Sequence, residues 1–264
     1  MNIILKTVYI MSNNIYLKKG LDLPINGTAA QNTKKVVKPD VVAVKPTDFR
    51  GLVPKLLVRE GDKVLAGTPV LADKMSQNIL FASPVSGVVA EVVRGEKRKL
   101  LEVRIKADEN QEYVDFGKKK VSEMSAEQIK EALLAAGLWP ALTQRPYGII
   151  ANPETKPKAI FVSSFSTAPL AANLDYALNE ELANIQTAVD ALAKLTDGGV
   201  HVGIGGANES VTPFKKLQNV TFHTFEGKHP AGNVGVQIHH VSPVQKGEIV
   251  WTVSAVMLAA IGKL

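Results

Sequence analysis

Gly61-Asp62-Lys63-Val64-Leu65-Ala66-Gly67, continuing through Phe81-Ala82-Ser83-Pro84-Val85-Ser86-Gly87 to Arg94-Gly95, is the stretch that decides the fold of this chain. It reads as two short hairpins of alternating apolar residues, each punctuated by glycine. Leu56-Leu57-Val58 leads into a Gly61-Asp62 turn, and Val64-Leu65 runs to a second turn at Gly67. Val70-Leu71 runs out to a polar tip, Asp73-Lys74-Met75-Ser76-Gln77-Asn78, and Ile79-Leu80-Phe81 brings the chain back to Pro84 and Gly87. Val88-Val89-Ala90-Glu91-Val92-Val93 is the exit strand. Glycine at the corners supplies positive φ and proline ends a strand, as a small flattened barrel of short strands requires.

A Gly-Asp turn, a tip and a Pro-x-x-Gly return, in that order, resemble the biotinyl/lipoyl hammerhead module. Carrier modules of that kind attach their cofactor to a lysine in a tight turn, and Asp73-Lys74-Met75 matches that turn in part. Ser76-Gln77-Asn78 lengthens the tip and displaces Lys74 from it, so an exposed hairpin lysine stands beside the carrier reading.

Composition narrows the functional classes. The chain has 264 residues, 45% hydrophobic and 21% charged, enough for two modest domains or one large one with a real core. A formal charge of +6 suits an anionic surface or an acidic partner without requiring either, and nothing in the pattern points to nucleic acid. With no cysteine, the chain has no disulfide, no thiolate metal site, no cysteine-ligated iron–sulfur cluster and no cysteine nucleophile. The best apolar run, 249–261, falls short of the roughly 20 residues that span a bilayer and contains Thr252 and Ser254. Residues 1–10 lack a small-residue cleavage site, so Met11 is read as the natural start behind an upstream extension, with Met1 the other choice. The expected location is the cytoplasm.

Outward from the hammerhead, residues 1–34 are read as an extension and an extended, turn-rich opening, and 35–112 as the hammerhead domain. A strand is expected over 36–44 and another over 100–105 closes the module. Residues 116–120 form a basic linker. Ser125 is the expected N-cap of a helix, with Gln128 completing a capping box, Ile129, Leu133 and Leu134 on one face, and Gly137 as the stop.

Residues 113–245 read as an α/β domain of Rossmann-like type. A buried strand over 158–163 precedes a long amphipathic helix over 174–195, with Leu178, Leu182, Ile185, Val189 and Leu192 at helical spacing. Strands follow at 200–204 and 220–223, and strand-helix-strand implies a parallel pair. Residues 246–264 are expected to begin a further, incomplete β-rich unit.

Three stretches are candidates for chemistry. Gly203-Ile204-Gly205-Gly206-Ala207-Asn208 follows a strand, but Pro213 and Phe214 stand where a dinucleotide fingerprint needs a helix start and a third glycine, so it reads as a turn. The 229–240 segment, His229-Pro230-Ala231-Gly232-Asn233-Val234-Gly235-Val236-Gln237-Ile238-His239-His240, holds three of the five histidines. Read as a loop and strand, it sends His239 and His240 to opposite faces, which disfavours a shared metal. In Gly137-Leu138-Trp139-Pro140-Ala141-Leu142-Thr143-Gln144-Arg145-Pro146-Tyr147, Trp139 and Tyr147 are candidates to stack on a planar ring and Arg145 to donate to a carbonyl oxygen, with a core Trp and a surface Arg as the plain alternative.

The opening Lys18-Lys19-Gly20-Leu21-Asp22-Leu23-Pro24-Ile25-Asn26-Gly27, the HPAG stretch (His229, Pro230, Gly232, Gly235, His239), Ser242-Pro243-Val244 and Val250-Trp251 together resemble the A subunit of the Na+-translocating NADH:quinone reductase over 17–264. That family is longer, so the chain matches its N-terminal portion. The resemblance implies a peripheral subunit on the cytoplasmic face of the inner membrane, supporting reduction of ubiquinone or menaquinone coupled to sodium export and not catalytic by itself. It implies the membrane-embedded B subunit as the chief partner, with FMN, FAD, riboflavin and iron–sulfur centres in partner subunits and no tightly bound flavin here. In the related flavoprotein subunits of complex I and Rnf, a glycine-rich loop holds FMN where this chain has the bulky 138–147 residues. Trp139, Arg145 and Tyr147 are then quinone-proximal candidates. A carrier domain modified at Lys74 and a flavin- or nucleotide-binding enzyme remain the other two classes.

Overall fold

The computed structural model describes residues 13–27, 30–33 and 38–264, with only the backbone of Asn13. The reading of 1–10 as an extension, the choice between Met1 and Met11, and the start of the strand expected over 36–44 lie outside the described residues.

The first unit is a set of short antiparallel strands. β1 (Asn13–Leu17) belongs elsewhere and is taken up below. β2 (Val41–Val44), β4 (Lys63–Val64), β7 (Gly87–Arg94) and β8 (Leu100–Ala107) form one sheet in the order β2-β8-β7-β4. β3 (Pro54–Leu56), β5 (Pro69–Asp73) and β6 (Leu80–Ala82) form a second, in the order β3-β5-β6. Val70, Leu71, Phe81, Val89, Val103 and Ile105, all buried, fill the core, each worth about 1.5–3 kcal/mol of apolar burial. The Gly-Asp turn closes as its residue types predict, with the Arg59 amide donating to the Asp62 carboxylate at 2.7 Å. Gly67 takes φ +101°, and at Gly87 a Cβ would collide with the Lys106 carbonyl of the facing strand, so both corners require glycine.

The second unit is one mixed seven-stranded sheet in the order β1-β13-β12-β11-β14-β9-β10. α1 (Ala126–Ala135) leads in behind the expected capping box: the Gln128 amide donates to Ser125 Oγ and the Ser125 amide to Gln128 Oε1. Ile129, Leu133 and Leu134 are buried and Gly137 ends the helix at φ +68°. β9 (Thr143–Arg145) and β10 (Ile149–Ile150) make an antiparallel margin. β11 (Ile160–Ser163), α2 (Leu174–Ala177), α3 (Leu182–Ala193) and β12 (Val200–Gly205) follow, and β11 and β12 pair in parallel. β13 (Val220–Gly227), α4 (Val234–Val241), β14 (Val250–Thr252) and α5 (Ala255–Lys263) complete the chain.

Four expectations change. The helix expected over 174–195 breaks at Leu178, whose φ of −115° and ψ of 9° turn the chain and bury that side chain before α3 begins. The segment from Val234 is a helix rather than a strand. Val234, Ile238 and Val241 repeat at i, i+4 and i+7, and the i, i+4 pair fits alternation and helical period alike. Residues 246–264 do not open a separate β-rich unit: β14 enters the sheet between β11 and β9, and α5 packs on α3 so closely that a Cβ on Gly262 would strike the Asn184 carbonyl. The N-terminal strand β1 is not a free opening either, since it pairs in parallel with β13 at the sheet edge.

Candidate functional site

The carboxyl ends of β11, β12, β13 and β1 lie along one edge of the sheet, the edge at which open α/β sheets bind ligands. The loop after β13 carries His229, Pro230 and Gly232 across that edge onto the loop after β11. Gly232 lies against backbone: an added Cβ would stand 2.5 Å from the Thr167 nitrogen and 2.9 Å from Ser166 Cα. The Gly232 amide donates to Thr167 Oγ1 at 3.0 Å, and the same hydroxyl is 3.1 Å from His229 Nδ1. Gln237, buried on α4, donates from Nε2 to Ser163 Oγ at 2.9 Å and to the Ala231 carbonyl at 3.2 Å. Gly203 on β12 leaves the space that the Gln237 amide occupies.

The opening segment locks the other side of this loop. The Leu21 amide donates to the His229 carbonyl at 3.0 Å, and the His229 amide to Asp22 Oδ1 at 3.2 Å. Gly20 packs directly on that His229 carbonyl. Two motifs more than 200 residues apart, KKGLD and HPAG, are thus one structural feature. Sequence reasoning singles out both without joining them, and the signal that joins them, β1 pairing with β13, is a non-local pairing. His239 and Gly235 sit apart from this contact on α4, and Gly235 has nothing within 4 Å of an added Cβ. His239 and His240 stack edge to face at 5.2 Å on the helix. Among the described residues no group of three or more His, Asp or Glu is placed to hold a metal ion.

Beside the loop, a cleft of about 990 Å3 opens on Tyr16, Phe165, Asn173, Asp175, Asn208 and Glu226. The Gly205-Gly206 pair reaches its wall, but its missing side chains make room for the protein's own groups. A Cβ on Gly205 would meet the Phe165 ring at 3.1 Å, and one on Gly206 would collide with Glu226. Among the described residues its lining carries Asp175 and Glu226 and no Lys or Arg.

Trp139 is fully buried, donates from Nε1 to the Ala151 carbonyl at 2.7 Å and meets Trp251 edge to face at 5.4 Å. Its indole is a core group with no face exposed to solvent. β9 explains this, because Gln144 pairs with Trp251 and carries the 139–147 segment into the sheet. Tyr147 remains 66% exposed, and Arg145 is partly buried, its Nε without a partner among the described residues. Lys74 is exposed, in a loop whose backbone is held to the barrel by the Lys74 amide donating to the Val53 carbonyl at 2.7 Å.

A pair of histidines that sequence reasoning passes over lies on β12 and β13. His201 Nδ1 is 2.8 Å from His223 Nε2, and His201 Nε2 is 3.2 Å from the Gly198 carbonyl. Burial, then the nearby His201, pushes His223 down to about 4, and burial also lowers His201. His201 stacks on Phe161 at 4.7 Å, so the pair is neutral packing at ordinary pH.

Comparison with known proteins bears on these two units in order. Residues 15–108 match the model of the NqrA N-terminal barrel-sandwich hybrid domain, and residues 124–264 that of the NqrA second alpha/beta domain. The chain belongs to the NqrA family. It is 38% identical over 252 residues to the A subunit of the Na(+)-translocating NADH-quinone reductase of Yersinia pseudotuberculosis, covering 95% of this chain and 56% of that protein. The same subunit from Serratia proteamaculans is 38% identical over 255 residues, and that from Pseudomonas aeruginosa 36% over 252 residues, each again across 95% of this chain and 56% of the relative. The chain therefore spans little more than half the length of these NqrA relatives. Among the described residues no helix is long and apolar enough to cross a membrane.

Proposed function

We propose that this chain serves as the peripheral NqrA component of a Na+-translocating NADH:quinone oxidoreductase, on the cytoplasmic face of the membrane. There it supports quinone reduction coupled to sodium export and contacts the membrane-embedded B subunit. The observation that carries the reading is the succession of two NqrA domains along one chain, joined to 38% identity over almost its whole length. FMN, FAD, riboflavin and iron–sulfur centres belong to partner subunits in this reading, and ubiquinone or menaquinone is the substrate of the complex.

The second unit is a Rossmann-like sheet, akin to the complex I flavoprotein subunit, kept as a part of the assembly rather than as a flavin site. Two features support that view. The HPAG loop seals one end of the strand edge, and the 139–147 segment is sheet margin rather than glycine-rich loop. Catalysis does not reside in this chain. The quinone-facing part of the segment is Arg145 and Tyr147, the latter with its ring in solvent. A second reading, a nucleotide- or flavin-binding α/β protein, draws on the cleft beside Phe165. Calorimetry with FMN and with NADH separates the two, because assembly alone gives no saturable heat.

The functional test is sodium-stimulated reduction of quinone by NADH in membranes of a strain lacking this chain. Activity lost on deletion and restored by the full-length gene supports the proposal. Unchanged sodium-stimulated activity overturns it.

A further inference from the structure

β7 and β8 are the longest strands of the barrel, and their connecting tip, 95–99, is built at odds with local preference. Lys97 and Arg98 both take left-handed backbone, at φ 52° and 60°. Side chains with a Cβ avoid that region, and glycine or asparagine is the ordinary choice there. A glycine pair at these positions would close the same hairpin without strain, yet the chain carries two long cations.

The charge pattern along the hairpin is divided. Midway, Arg104 is neutralised twice, by Glu91 at 2.7 Å and Glu102 at 2.8 Å. At the tip, Lys97, Arg98 and Lys99 are exposed and none is in an ion pair among the described residues. Arg94 adds a fourth cation, its Nη1 donating to the Arg98 carbonyl at 3.1 Å and so bracing the turn. Glu96 is the one acid of the turn. The Gly95 amide donates to the Lys99 carbonyl at 2.8 Å, which closes the hairpin beneath these side chains.

We infer that this tip is a contact for an anionic phospholipid surface. An exposed turn has no walls to enclose a single anion, and three of its four cations are long, exposed side chains without an ion pair among the described residues. A discrete acidic site on a protein calls for a pre-oriented guanidinium fork, whereas a fluid layer of negative headgroups needs only proximity and positive charge. The inference rests on the reading of the chain as a peripheral membrane subunit and names where it touches the bilayer.

The test is co-sedimentation of the full chain with phosphatidylcholine vesicles, with and without phosphatidylglycerol, across a salt series. The wild type is expected to bind only the phosphatidylglycerol vesicles, more weakly as salt rises. The K97G/R98G variant relaxes the backbone while removing two cations. It is expected to lose roughly 25-fold in partitioning, about fivefold per cation, with an unchanged or higher melting temperature. The K118S/K119S variant loses the same charge from the linker and is expected to keep most of the binding. Binding equal in K97G/R98G and wild type, an equal loss in K118S/K119S, or no binding to phosphatidylglycerol each overturns the inference. None of these outcomes depends on other reductase subunits, so failure here leaves the assignment of the assembly to its own test.

Discussion

His223 makes the fold acid-sensitive in a defined window. Its folded value of about 4 lies below the ordinary 6.5, chiefly because burial penalises the cation. The unfolded chain therefore binds a proton that the folded chain refuses. The contribution of this residue to stability is complete above pH 6.5 and is lost as pH falls toward 4. Between pH 7 and pH 5 the loss is about 1–2 kcal/mol, read as a lower urea midpoint. His223→Leu should flatten that dependence; an equally steep variant would place the acid sensitivity elsewhere. The hallmark glycines divide in the same residue-level way. Gly232→Ala forces a methyl onto the Thr167 and Ser166 backbone and is expected to destabilise by about 1–3 kcal/mol in thermal melts. Gly235→Ala, in open space on α4, should be neutral or stabilise by about 0.5–1 kcal/mol. Equal effects at both positions would contradict the packed-loop account. Trp139→Phe loses the indole hydrogen bond to Ala151, so its expected effect is on stability rather than on the affinity of the complex for quinone.

Among the elements, α1 was legible to the residue because capping is local: Ser125 and Gln128 announce it within a single turn of chain. Ser125→Ala should cost about 1 kcal/mol of stability by chemical denaturation, and no change would mean that the helix is held by its buried face alone. The barrel hairpins were legible for a similar reason, since turn glycines and alternation act over a few residues. α4 is not legible as a helix because Val234 and Ile238 satisfy two periods at once. The places of β14 and α5 are not legible either, because nothing within 250–264 tells a strand which neighbours it will take. Trp251 pairs with Gln144, and Gly262 abuts Asn184, through contacts invisible along the chain. Gly262→Ala is accordingly expected to push α5 off α3 and lower the melting temperature, an effect that a separate terminal unit would not show.

At the scale of the molecule, two motifs that looked like independent signatures meet at the strand edge, where Asp22 and Leu21 hold the loop that Gly232 allows to settle on Ser166 and Thr167. That arrangement ties the opening segment after β1 to the loop after β13. In the proposed reading that closed edge gives the second unit the character of an assembly part rather than of a flavin site. Affinity capture of the tagged full-length protein from native membranes, followed by mass spectrometry of whatever accompanies it, tests that character most directly. The account predicts the membrane subunits of a sodium-translocating reductase in stoichiometric amounts; recovery of the protein by itself would contradict it.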